Sequence, residues 1–148
     1  MRLIADTSGI VTALDADQPG HDQALAALQD AAVAVVTPQV IAETCHVLTR
    51  LGVPSAVDGL LEDVAAGFYE LWNPEPHHYS QARESLSKYR GAIQRKRPKP
   101  DGLDLADAMN LIAADRFGIE FILTTDSDYR QARTPGGKTL APISLMRD

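Results

Sequence analysis

The chain has 148 residues, 45% apolar and 23% charged, with a formal charge of -6 from 14 Lys plus Arg against 20 Asp plus Glu. These values suit one ordinary globular domain over residues 1–148 and exclude a disordered or collagen-like chain. One cysteine and four histidines without HExxH or CxxC spacing exclude a disulfide framework and leave structural zinc without ligands.

Cysteine usage points to a reducing compartment. The apolar stretch before Asp6 is too short for a secretory signal, and no run of about eighteen apolar residues exists to span a bilayer. The expectation is a cytoplasmic protein with no membrane partner. Net negative charge argues against indiscriminate coating of nucleic acid and says nothing about a local basic patch.

Leu3-Ile4-Ala5 reads as a buried strand stopping at the polar turn Asp6-Thr7-Ser8-Gly9, where Thr7 or Ser8 would cap a helix. A helix over His21 to Ala32 leads into Ala32-Val33-Ala34-Val35-Val36, a β-branched run suited to a strand covered on both faces, which makes a parallel βαβ unit. Pro38 starts a helix with Val40, Ile41, Thr44, Val47, Leu48 and Leu51 at helical spacing, and Gly52 ends it. Ser55 would cap the next helix, which carries Val57, Leu60, Leu61, Val64 and Phe68. Tyr69 to Trp72 reads as a strand and Pro76 to Tyr89 as a helix.

Between Gly91 and Gly102 the composition breaks: Arg95-Lys96-Arg97-Pro98-Lys99-Pro100 is a basic loop without periodicity. It is either solvated or an arm for phosphates, and the arm is the favoured reading. Asp101 or Gly102 then opens a helix over Leu103 to Phe117, closed by Gly118. Phe121 to Thr124 is a strand ending at Thr125-Asp126-Ser127-Asp128, and Gly136-Gly137 turns the chain into a last strand, Leu140 to Ile143.

In open parallel sheets, ligands bind beyond the carboxyl ends of the strands. Asp6 and Asp126 stand there. Glu43 lies near the start of a helix after the second strand, and Asp104 and Asp107, three apart, share one face of another helix. Each acid alone has a plain structural reading, as a helix-end charge or a solvated side chain. Together they repel one another unless a hard divalent cation sits among them, and Mg²⁺ or Mn²⁺ suits a site of carboxylates without thiolates or imidazoles.

Asp6-Thr7-Ser8, Glu43, Leu105-Ala106-Asp107-Ala108 and Thr124-Thr125-Asp126-Ser127-Asp128-Tyr129 together resemble the PIN-domain family, and in size and order its VapC-type toxin ribonucleases. The resemblance implies a three-layer α/β/α sandwich around a central parallel sheet. It makes Asp6, Glu43, Asp107 and Asp126 the catalytic, metal-binding quartet, with Asp128 an accessory ligand and Thr7, Thr125 and Asp104 in support. It also implies Mg²⁺- or Mn²⁺-dependent cleavage of RNA, a homodimer, and a cognate antitoxin whose basic side chains fill the acidic groove. Tyr129 stands where the family often has Phe. Arg95, Lys96, Arg97 and Lys99 look like an insertion, which leaves RNA choice open.

Two other readings stay open: a PIN-fold module that binds RNA or protein without cutting, and a receiver-like Mg²⁺-binding signalling domain. The second lacks a role for Glu43 and has only Lys138 for its lysine. Gly137-Lys138-Thr139 is not a P-loop, because the earlier glycine position is Ala132. His46 reads as an exposed helix residue and Cys45 as a buried thiol.

Overall fold

Strand residues alternate between the two faces of a sheet, so the short apolar runs of this chain have to be covered on both sides. A computed structural model describes residues 1–94 and 103–145, with side chains described to Tyr89 in the first range. Five strands, β1 (Arg2–Ala5), β2 (Val33–Val36), β3 (Glu70–Leu71), β4 (Phe121–Leu123) and β5 (Ala141–Pro142), pair in the order β3-β2-β1-β4-β5. All the pairings are parallel.

The helices are α1 (Thr7–Leu14), α2 (His21–Asp30), α3 (Pro38–Arg50), α4 (Pro54–Ala65), α5 (Pro76–Gln94) and α6 (Leu105–Phe117). On one face of the sheet, Leu3, Ala5, Ala34 and Val36 pack with Ile10, Leu28, Val40 and Leu60 of α1 to α4. On the other, Ile4, Val35 and Ile122 pack with Ala82 of α5 and Met109, Leu111 and Ile112 of α6. This is the expected α/β/α sandwich. Among the described residues no helix is long and apolar enough to cross a membrane.

The chain lays β2 and β3 to one side of β1, then crosses to place β4 and β5 on the other. That reversal opens a crevice between the carboxyl ends of β1 and β4. Ala5 pairs with Leu123, so Asp6 and Thr124 leave the sheet side by side, and the Asp6 backbone N–H donates to the Leu123 carbonyl at 3.1 Å. Helix α1 seats against β4 so tightly that a Cβ on Gly9 would run into the Leu123 carbonyl and side chain. Only glycine fits there.

Several boundaries differ from the sequence expectation. Asp6, not Thr7 or Ser8, holds the cap position of α1, and its carboxylate makes no cap bond because other side chains engage it. Helix α4 starts at Pro54, so Ser55 lies inside it, and it ends at Ala65, leaving Phe68 beyond it and exposed along with Leu61. Helix α5 runs on to Gln94, so residues 91–94 of the expected loop are helical. The basic residues Arg95, Lys96, Arg97 and Lys99 lie outside the described residues. Helix α6 begins at Leu105 because Asp104, rather than Asp101 or Gly102, caps it. The last strand is only Ala141–Pro142, and Cys45 is half-buried rather than buried.

Candidate active site

The site is built where β1, α6 and the segment after β4 meet. Asp6 Oδ1 accepts from Asn110 Nδ2 at 3.0 Å and Oδ2 from the Thr124 hydroxyl at 2.7 Å. Thr124 Oγ1 in turn accepts from the Asp126 backbone N–H at 3.0 Å and lies 3.1 Å from Ser8 Oγ. Since the Thr124 proton is committed to Asp6, Ser8 is the donor in that pair. Asp107 Oδ1 accepts from the Tyr129 hydroxyl at 2.8 Å, and its Oδ2 accepts from the Asp104 backbone N–H at 3.0 Å. Asp104 Oδ1 accepts from the Asp107 backbone N–H at 2.9 Å, which completes a capping box at the start of α6.

Burial, opposed by the Thr124 hydroxyl and reinforced by Asp126 and Glu43, raises the Asp6 pKa to about 6. Burial also pushes Asp107 well above the usual carboxylate range, with further upward pressure from Asp104 and Asp6. Glu43 is raised by partial burial and by Asp104, while the Thr7 hydroxyl leans toward it without completing a hydrogen bond. Among the described residues no lysine or arginine figures in the groups that shift these three acids. Tyr129, raised by burial and by Asp6 and Asp107, stays protonated and hence a donor.

The family model for the PIN domain matches residues 3–135. The chain belongs to the PIN-domain family. It is 34% identical over 137 residues to Ribonuclease VapC26 of Mycobacterium tuberculosis, covering 91% of this chain and 94% of the relative. Its fold matches the crystal structure of VapC20 of Mycobacterium tuberculosis, a sarcin-ricin loop cleaving toxin. The TM-score is 0.70 at 18% identity, over 85% of this chain and 91% of that one.

In this PIN domain the electrostatic coupling links Asp6, Glu43, Asp104, Asp107 and Asp126 at one edge of the sheet. Asp128 is buried, and its backbone N–H donates to Asp126 Oδ1 at 2.9 Å. It is not among the charges that raise Asp6, Glu43 or Asp107. Thr125 is exposed and offers its backbone N–H to Ser8 Oγ at 2.9 Å, so the hydroxyl that reaches Asp6 is that of Thr124. Sequence reasoning missed Asn110, and it passed over the hydroxyl of Tyr129 as a mild change. Asn110 follows Asp107 by one helical step, on the same face of α6, which was the available signal.

Among the described residues, no three His, Cys, Asp or Glu side chains are already drawn close enough to hold an ion. The donor set nevertheless fits a hard divalent cation. It consists of oxygen ligands whose carboxylates raise one another's pKa, and the Thr7 hydroxyl and Asn110 Oδ1 are buried there without hydrogen-bond partners.

Proposed function

We propose that this PIN domain, as one unit over residues 1–148, is a metal-dependent endoribonuclease and the toxin of a toxin–antitoxin pair. The observation that supports it most is the electrostatic coupling of Asp6 to Asp126 and Glu43 and of Asp107 to Asp6, with Asp6 and Asp107 held largely out of water. The ribonuclease relative, aligned over most of both chains, supports the same reading.

Asp6, Asp107 and Asp126, with Glu43 and Asp128 as further ligands, would hold Mg²⁺ or Mn²⁺. Such an ion, when bound, supplies the positive charge that a phosphodiester needs as it gains charge, and eases deprotonation of the attacking water. The protein's share is positioning. Thr124 and Asn110 fix both oxygens of Asp6, Tyr129 and the Asp104 backbone fix those of Asp107, and Thr7 lies beside Glu43. Glu43, exposed on α3, orients the water and takes its proton. Water attacks phosphorus in line, the bond from phosphorus to the 3′ oxygen breaks, that oxygen takes a proton from solvent, and the products carry a 5′-phosphate and a 3′-hydroxyl.

Arg95, Lys96, Arg97 and Lys99 contact RNA phosphates, offsetting the repulsion from the acidic site. An antitoxin with a basic tail fits the same acidic edge. Exposed Leu51, Leu61, Phe68 and Leu71 give apolar surface for a homodimer, and a reducing cytoplasm suits the one free thiol. The deciding experiment incubates purified protein with RNA in Mg²⁺, in Mn²⁺ and in chelator. Cleavage in metal alone, reduced at least a hundredfold in Asp6→Asn and Asp107→Asn, is the expected result; equal cleavage by wild type and both variants sinks the assignment.

A further inference from the structure

Beside Asp126 a cavity of about 790 Å³ runs between the 16–23 segment, the turn after β4 and the end of β5. It shares Thr124, Thr125 and Asp126 with the candidate active site, so anything held in it adjoins the reacting phosphate. We infer that this cavity is a nucleoside subsite, seating one amino-bearing base (adenine, guanine or cytosine) of the RNA strand next to the scissile bond. The inference rests on the ribonuclease reading.

The volume lies in the range of small-molecule sites, enough for a nucleoside and too small for a duplex. The cavity is built, not incidental. Gly20 has φ of +81°, and a Cβ there would meet the Leu145 carbonyl oxygen at 2.7 Å, so the loop lies directly on the chain after β5 and walls off the far side. Gln18, which lines the cavity, donates its Nε2 to Asp15 Oδ2 at 2.9 Å, which orients the carboxamide and leaves its oxygen as an acceptor. His21 lies on the same wall, with Nδ1 3.0 Å from the Thr12 carbonyl oxygen. A carbonyl only accepts, so Nδ1 carries a proton and Nε2 is the ring nitrogen able to accept.

Pro19 and Ile143 supply flat apolar surface for a heterocycle, and Arg130 can stack on it. Among the described lining residues Asp22 and Asp126 outnumber the one guanidinium, Arg130, a balance that disfavours a second phosphate and favours a neutral ring. Gln18 Oε1 and His21 Nε2 are thus the ring-edge and amide atoms of this wall able to accept from a ligand. A base with an exocyclic amino group therefore finds partners that uracil, with carbonyl oxygens at those positions, does not.

The test maps the 5′ ends of fragments cut from a random RNA pool in Mn²⁺ by wild type, Gln18→Ala and the double variant Ala16→Leu/Ser144→Leu, which fills the rim from two exposed positions. Wild type is expected to discriminate about tenfold against uracil at one position flanking the cut. Both variants should lose most of that preference, with cleavage at the preferred bases falling toward the rate at uracil. A flat profile, one favouring uracil, or one unchanged in either variant overturns the subsite. If wild type cuts nothing, the ribonuclease reading fails, and the cavity is then decided alone by titrating AMP, CMP, GMP and UMP in chelator. Saturable NMR shifts at the His21 ring and Ile143 methyls, weakest for UMP and lost in the double variant, uphold it; no saturable shift, or UMP the strongest, overturns it.

Discussion

The Tyr129 hydroxyl donates to Asp107 Oδ1 at 2.8 Å while accepting from Asn110 Nδ2 at 3.0 Å, and the same Asn110 nitrogen donates to Asp6 Oδ1 at 3.0 Å. Two acids from different elements are thus braced through one bridge. Tyr129→Phe removes a buried hydrogen-bond partner from Asp107 and should cost about 1–3 kcal/mol of stability in chelator, read from urea unfolding. Cleavage should fall by less than about tenfold, because Asp107 keeps its bond to the Asp104 backbone. An unchanged urea midpoint would show that the hydroxyl carries no load.

Asn110→Ala strips a partner from both Asp6 and Tyr129, so its effect should not add to that of Tyr129→Phe. A double-mutant cycle is expected to return a coupling of at least 0.5 kcal/mol, typical of residues in one network. Strict additivity would separate the two side chains energetically.

The raised pKa of Asp6 sets a pH signature. In the folded, metal-free chain Asp6 keeps its proton up to about pH 6, against 3.8 for an ordinary aspartate. A carboxyl raised by folding contributes stability that is complete below the unfolded value and lost as pH climbs through the folded one. At 1.36 kcal/mol per pH unit, wild type forfeits on the order of 3 kcal/mol relative to Asp6→Asn between pH 4 and pH 7. In chelator Asp6→Asn should melt above wild type at pH 7.5, with the gap closing toward pH 4. Mn²⁺ should stabilise wild type far more than the variant. A gap that ignores pH, together with equal metal shifts, would mean that Asp6 neither resists ionisation nor meets a cation.

Neutralising Arg95, Lys96, Arg97 and Lys99 together should weaken RNA binding and flatten its salt dependence. The expected change is about 0.7 log unit per lost phosphate contact on a single strand. Cleavage at saturating RNA should survive. Binding isotherms from low to high salt check this, and an unaltered slope would leave the segment merely solvated.

The acids were legible in the sequence because Asp6 and Asp126 follow apolar runs that can only be strands, and strand ends are where such sheets bind. The scaffold around them was less so. Thr124 and Thr125 are chemically alike in a string of letters, and only the path of the chain leaving β4 decides that Thr124 meets Asp6. Asn110 sits among Ala106 to Ala114, all buried, so no amphipathic stripe marks it as facing the acids. The start of α6 was misplaced because Asp101, Gly102 and Asp104 are all plausible caps, and the reciprocal bond with Asp107 is what selects Asp104.

The contact of Gly9 with Leu123 has a bearing on how this protein will look under saturation mutagenesis. Scored by loss of toxicity, position 9 should tolerate nothing, and so would rank with Asp6 and Asp107 in a heat map although it has no side chain to react. Paired with a readout of soluble protein, the two kinds of intolerance part company: substitutions at 9 should deplete the folded pool, whereas Asp6→Asn should leave it intact or enlarge it.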